Sequence, residues 1–128
     1  MKNIKITPVS KPRMTRADTW KKRPCVLKYW AYKDELKEKM KEIDLEIENE
    51  LYLEFYIQMP KSWSKKKKSE MFNKVHQQKP DVDNLVKGVM DAIFKEDSHV
   101  HTIYAKKLWS NTPSITFISG ENLVEYLS

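Results

Sequence analysis

The sequence predicts a single small α+β domain, a mixed sheet of about four strands carrying two main helices in the order β-α-β-α-β-β. Three patterns lead there. From Glu50 to Met59 the chain alternates with period two, Leu51, Leu53, Phe55, Ile57 and Met59 on one side and Tyr52, Glu54, Tyr56 and Gln58 on the other, which is a strand. From Val82 to Ile93 apolar residues recur at Val82, Leu85, Val86, Val89, Met90 and Ile93, the stripe of an amphipathic helix. Val26, Tyr29, Trp30, Leu36, Met40 and Ile43 have similar spacing and predict another helix.

The remaining elements follow in order. Lys2 to Val9 places Ile4 and Ile6 on one side of a short strand before Pro8 and Pro12 break the pattern. Lys11 to Arg23, with Arg13, Arg16, Lys21, Lys22 and Arg23 around Trp20, reads as a loop able to follow a phosphate backbone. After the central strand, Pro60 opens a lysine-rich stretch, 60–80, that includes Lys65, Lys66, Lys67, Lys68, Lys74 and Lys79 and reads as a long, mobile, basic loop. Pro80 and Asp81 then start the apolar-striped helix, Asp81 at its N-cap position. His99 to Trp109 and Ser114 to Ser119 suit two further strands, with Asn111, Thr112 and Pro113 turning the chain between them. A sheet with helices packed on it buries these faces together.

With 128 residues the chain has the size of one domain, read here as 1–128. A net charge of +6 and a charged fraction of 33% make polyanions its natural partners, because lysines that neutralise phosphates release counterions. Two glycines, Gly88 and Gly120, are too few for a phosphate-cradling glycine loop, so nucleotide-driven chemistry is not expected. One cysteine, Cys25, allows no intrachain disulfide, and the sequence lacks both a secretory leader pattern and an apolar run of membrane-spanning length. A cytoplasmic protein is the expectation.

The chemistry concentrates at Lys79-Pro80-Asp81-Val82-Asp83-Asn84-Leu85-Val86-Lys87. Hydrolysis of a phosphodiester calls for hard oxygen ligands for Mg²⁺ or Mn²⁺ and for positive charge where the transition state gathers negative charge. Asp81 and Asp83 offer the first, Lys87 the second. Structural alternatives stand beside this reading: Asp81 as a cap, Asp83 complementing the helix dipole, and Asp83 with Lys87 as an i,i+4 ion pair. Asp91 is expected to hold Lys87, and Asn84 to bond a loop in preference to orienting a carboxylate. His76, His99 and His101 lack further ligands for zinc. Trp30 and Trp109 fall in periodic segments and read as core, while Trp63, within the lysines, is the candidate for stacking on a base.

These residues resemble the RusA family of phage and prophage Holliday junction resolvases, whose pattern is Asp-x-Asp-Asn-Leu-x-Lys followed by Asp-Ala and a hydrophobe. Asp81 to Lys87 and then Asp91-Ala92-Ile93 are similar to it, as Glu96-Asp97-Ser98-His99-Val100 is to the family's Asp-Asp-x-x-Val. Upstream, Met59-Pro60-Lys61-Ser62-Trp63-Ser64 and the lysines after it resemble the loop of the phage branch. The resemblance implies a homodimeric, Mg²⁺-dependent endodeoxyribonuclease for which Mn²⁺ can substitute, resolving four-way junctions in recombination and repair by paired cuts. It makes Asp81, Asp83 and Asp97 the metal-binding catalytic carboxylates and Lys87 the cation at the scissile phosphate. Glu96 replaces the family's first Asp of that pair, which puts its role as a ligand in doubt. Arg13, Arg16, Lys65, Lys66, Lys67, Lys68 and Lys79 are the expected DNA contacts. A binding protein without activity, or a nuclease for other branched DNA, is the alternative.

Overall fold

The computed structural model describes residues 2–13, 15–16, 23–45, 47, 49–118. The elements are β1 (Lys2–Ile4), α1 (Pro24–Glu42), β2 (Glu50–Gln58), α2 (Lys65–Met71), α3 (Val82–Ile93), β3 (Thr102–Ser110) and β4 (Ser114–Phe117). The strands form one sheet in the order β1-β4-β2-β3, in which β2 and β3 run parallel and β4 runs antiparallel to both β1 and β2. The α+β expectation therefore stands, with a third helix added.

Period two on β2 decides what the sheet buries. Leu51, Leu53 and Phe55 are fully buried and share one core with Tyr29, Tyr32 and Leu36 of α1 and with Leu85 and Val89 of α3. The opposite face is polar yet still enclosed in part. Glu54 is only 3% exposed, and Tyr56 Oη donates to Glu54 Oε1 at 3.3 Å. Beside it, Asn3 Nδ2 donates to the Ser114 and Thr116 hydroxyls at 3.0 and 2.9 Å, tying β1 to β4 by side chains as well as backbone.

α1 starts on Pro24, whose fixed φ suits the first helical turn and whose missing N–H costs nothing there. Its buried stripe is Val26, Tyr29, Tyr32, Leu36 and Met40. Trp30 is 38% exposed, a departure from the expected core position. The reason is rotational: each residue advances about 100° round a helix, so the stripe centred on Tyr29 and Leu36 leaves Trp30 at its margin. α3 packs on α1 at Gly88, where a Cβ would lie 2.9 Å from the Val9 carbonyl oxygen. Only a residue without a side chain admits the 9–11 segment so near. Tyr29 Oη donates to the Gly88 carbonyl at 2.8 Å, and burial together with the Asp91 carboxylate pushes the Tyr29 pKa up to about 12.

The 60–80 segment differs from its reading as a loop. Lys65–Met71 is helical, and the Ser64 hydroxyl accepts from the Lys67 N–H at 3.1 Å as a side-chain cap. The chain then runs along the outer edge of β3: Asn73 N–H donates to Trp109 O, Trp109 N–H to Lys74 O and His76 N–H to Lys107 O, each at 2.9 Å. Val75 and Leu108 thus form an antiparallel bridge that covers this half of the edge strand. The outer strands are shorter than their patterns suggested. β1 ends at Ile4 although Ile6 is buried, β3 starts at Thr102 rather than His99, and the described part of β4 ends at Phe117.

Candidate active site at the start of the second long helix

β2 and β3 are parallel neighbours, so the chain between them must return to the starting end of the sheet, and α3 makes that return. The start of α3 therefore lies at the carboxyl ends of β2 and β3, the end at which open α/β sheets commonly place ligands. Asp81 and Asp83 occupy it.

Asp81 has the extended backbone of an N-cap, φ −71° and ψ 141°, but its side chain makes no capping bond. Its carboxylate is exposed, as is that of Asp83 in the first turn. Within the described residues Asp83 and Lys87 form no ion pair, and Lys87 is exposed with its ammonium available. The capping role and the i,i+4 pair do not account for these side chains, while Asp83 does stand in the first turn, where it complements the helix dipole. Asp91 also departs from expectation: it pairs with Lys11 instead of Lys87. Both partners are about three-quarters buried, and the Lys11 N–H donates to the Asn84 carbonyl at 3.2 Å. Asn84 thus anchors the N-terminal loop by backbone, and a shallow cleft of about 430 Å³ opens between Ser10, Lys79, Pro80, Asp81 and Asn84.

Asp97 lies at the other end. α3 has 12 residues, which at 1.5 Å each span roughly 18 Å, and Asp97 follows its C-terminus just before β3 begins. Its carbonyl accepts from the Val100 N–H at 3.0 Å in a tight turn, while Glu96 Oε1 accepts from the Ser98 N–H at 3.1 Å. Glu96 thus has a local structural partner. Among the described residues of one chain, no three acidic, His or Cys side chains gather into a metal-holding group. The sequence-derived set of Asp81, Asp83 and Asp97 is accordingly divided within one protomer, two acids at one end of α3 and one at the other. Mg²⁺ commonly takes only one or two protein carboxylates and completes its shell with water and substrate phosphate. Asp81 and Asp83, exposed and without competing partners among the described residues, suit that role.

The expected DNA contacts form two groups. Lys65, Lys66 and Lys67 are exposed on α2 and Lys68 half-buried, and Lys79 is exposed at the mouth of the cleft. Arg13 and Arg16 are exposed beyond the Lys11 anchor, and Arg23 Nη2 donates to the Arg13 carbonyl at 2.6 Å. The positions assigned to Trp20, Lys21 and Lys22 lie outside the described residues. Trp63 is half-buried against Trp109, ring centroids 4.7 Å apart, with Lys67 Nζ 4.3 Å from its ring centre. Its main role is therefore to seat α2 on β3, not to present a free face to a base. His76 completes this stack at 4.1 Å from Trp109 and is 5% exposed. His99 Nδ1 lies 3.1 Å from Asn49 Oδ1, and His101 Nδ1 2.8 Å from the Thr102 hydroxyl.

One residue of the site escaped the sequence reading. Lys107 Nζ donates to the main-chain carbonyls of Gln78 at 2.6 Å and Pro80 at 2.7 Å, immediately before Asp81. The signal was present in the alternation of β3: Lys107 falls between Ala105 and Trp109 on the apolar side, paired in register with the buried Phe55. A lysine on a buried face asks for acceptors.

Comparison with known proteins adds three findings. The family model described as endodeoxyribonuclease RusA matches residues 3–118. The uncharacterized protein YqaN of Bacillus subtilis (strain 168) is 42% identical over 71 residues, a stretch covering 49% of this chain and 50% of that protein. The chain thus spans about half the length of the curated relative it matches, and no solved structure matches it.

Proposed function

The chain belongs to the RusA endodeoxyribonuclease family, and from that membership we propose that it is a Mg²⁺-dependent, homodimeric nuclease that resolves four-way DNA junctions. The observation that carries the proposal is the state of Asp81 and Asp83: two exposed carboxylates at one helix start, with neither a side-chain cap bond nor an ion pair among the described residues.

In this reading Asp81 and Asp83 hold the ion, with Asp97 supplied by the second protomer, since within one chain it lies at the far end of α3. When bound, Mg²⁺ or Mn²⁺ acidifies water at the site and offsets the negative charge that builds on the phosphate. Lys87, one turn beyond Asp83 and without an acid partner among the described residues, contacts a non-bridging oxygen of the scissile phosphate. Lys79 stands at the cleft mouth, and α2 lysines with Arg13 and Arg16 follow the backbones of the junction arms, contacts that position DNA without reading its sequence. Symmetry suits the substrate: a twofold dimer presents two equal sites to the two equivalent strands of a junction.

The test is cleavage of a synthetic four-way junction, a flap and a linear duplex at one salt concentration, with and without Mg²⁺, by wild type and Asp83→Asn. The expected result is Mg²⁺-dependent paired nicking of the junction by wild type, and a loss of rate of roughly a thousandfold in the variant with junction binding retained. A wild type that binds and never cuts makes the chain a DNA-binding protein; preferential cutting of flaps changes the substrate.

A further inference from the structure

The approach to α3 has few restraints of its own. Gln77, Gln78 and Lys79 are exposed, Pro80 has no N–H to donate, and Asp81 does not cap the helix with its side chain. What holds this approach is β3, through two bonds of one residue's ammonium: Lys107 Nζ to the Gln78 and Pro80 carbonyls. The same residue's carbonyl accepts from the His76 N–H at 2.9 Å, fixing the preceding turn of chain. The Pro80 carbonyl is one peptide from Asp81, and the Asp81 carbonyl accepts from the Leu85 N–H at 3.1 Å in the first turn of α3.

Lys107 differs in kind from Lys11, the other lysine tied to this region. Lys11 meets the Asp91 carboxylate, so its charge is balanced by a partner. Lys107 is bound by neutral carbonyl dipoles, and its position between Ala105 and Trp109 directs its stem along the packed side of β3. It is also not among the residues that line the cleft, which are Ser10, Lys79, Pro80, Asp81 and Asn84.

We propose that Lys107 is a positioning residue for the nuclease site: by clasping the Gln78 and Pro80 carbonyls it fixes the direction in which Asp81 and Asp83 leave the start of α3. The inference rests on the nuclease reading for its consequence, but its structural part can be measured without any cutting. Replacing partners that orient metal ligands typically costs 10- to 100-fold in metal affinity or activity.

The experiment compares wild type with Lys107→Met, which keeps the stem and removes the ammonium, and with Lys107→Arg, which keeps a donor. Three readouts are taken on the full chain: Mn²⁺ affinity by paramagnetic relaxation, amide hydrogen exchange at Leu85 against Val89, and junction cleavage in Mg²⁺ resolved into kcat and KM. For Lys107→Met we expect Mn²⁺ binding weakened roughly tenfold or more, faster exchange at Leu85 with Val89 unchanged, and a matching fall in kcat with KM for the junction preserved. Lys107→Arg recovers most of each. If Lys107→Met keeps the Leu85 protection and Mn²⁺ affinity of wild type, the positioning role is wrong. Tighter Mn²⁺ binding also overturns it, because a lysine acting only as a nearby positive charge repels the ion. Should Lys107→Met lose protection at Val89 as well as Leu85, the lysine supports the whole fold and not the site, which equally overturns the proposal. If wild type binds junctions and never cuts, the nuclease reading fails, while Leu85 exchange and Mn²⁺ affinity still decide the role of Lys107.

Discussion

Asp81 and Asp91 show how the same residue type in one helix can have opposite fates. Asp91 faces the 9–11 segment and is neutralised by Lys11; Asp81, at the exposed start, has no such partner. Spacing along the sequence could not separate them, because Lys11 and Asp91 are 80 positions apart and meet only once Gly88 lets the N-terminal loop lie on α3. His76 provides a test at this scale. Burial, and then the charge of Lys107, lower its pKa below the usual 6.5. The folded state thus holds fewer protons on this side chain than the unfolded chain does, and stability rises with pH across the interval between the two values. The contribution is complete above about 6.5 and disappears as pH falls from there through the depressed folded value. Urea unfolding of wild type and His76→Gln between pH 7.5 and pH 5 is expected to show a shallower decline in the variant. Parallel curves would mean that His76 titrates in the fold as it does in the open chain.

Elements whose burial follows a single period were legible from sequence; those whose form depends on a distant partner were not. α3 and β2 appeared nearly to the residue because one apolar face each meets the core. α2 was hidden: Lys65 to Lys68 carry no apolar stripe, none of its residues is buried, and its seat comes from Trp63 on Trp109. The Ser64 cap was its one local signal. Lys67 lies over Trp63, so under the proposed function Lys65, Lys66 and Lys68 are the lysines of this helix left to meet phosphate. Changing Lys65, Lys66 and Lys68 to Gln should make the plot of log junction affinity against log salt shallower by roughly two to three units, about 0.9 for each phosphate no longer neutralised. The acids should still support cutting once DNA is saturating. An unchanged slope would remove α2 from the DNA surface.

At the scale of the whole molecule, topology accounts for what the site has and lacks. A parallel β2–β3 pair obliges α3 to cross the sheet, so the acids before and after it must sit at opposite ends. The sequence shows all three acids and the helix between them; that one helix separates them by roughly 18 Å is plain from its length, and the proposed shared site would need a second chain to bring them together. Mixed dimers test this. Asp83→Asn and Asp97→Asn chains are each expected to be inactive, yet a dimer containing one of each rebuilds one complete site and nicks one strand of the junction if the site is shared. Were each site built within one chain, both sites of the mixed dimer would carry a lesion and the mixture would stay inactive.

The crossing of α3 has a bearing on how such an enzyme is kept in check. If catalysis needs acids from two copies, cutting power grows more steeply than the amount of protein while the chains are mostly apart. A cell holding only traces would carry harmless halves, and the danger to its own chromosome would arise only once synthesis had supplied enough of them to meet.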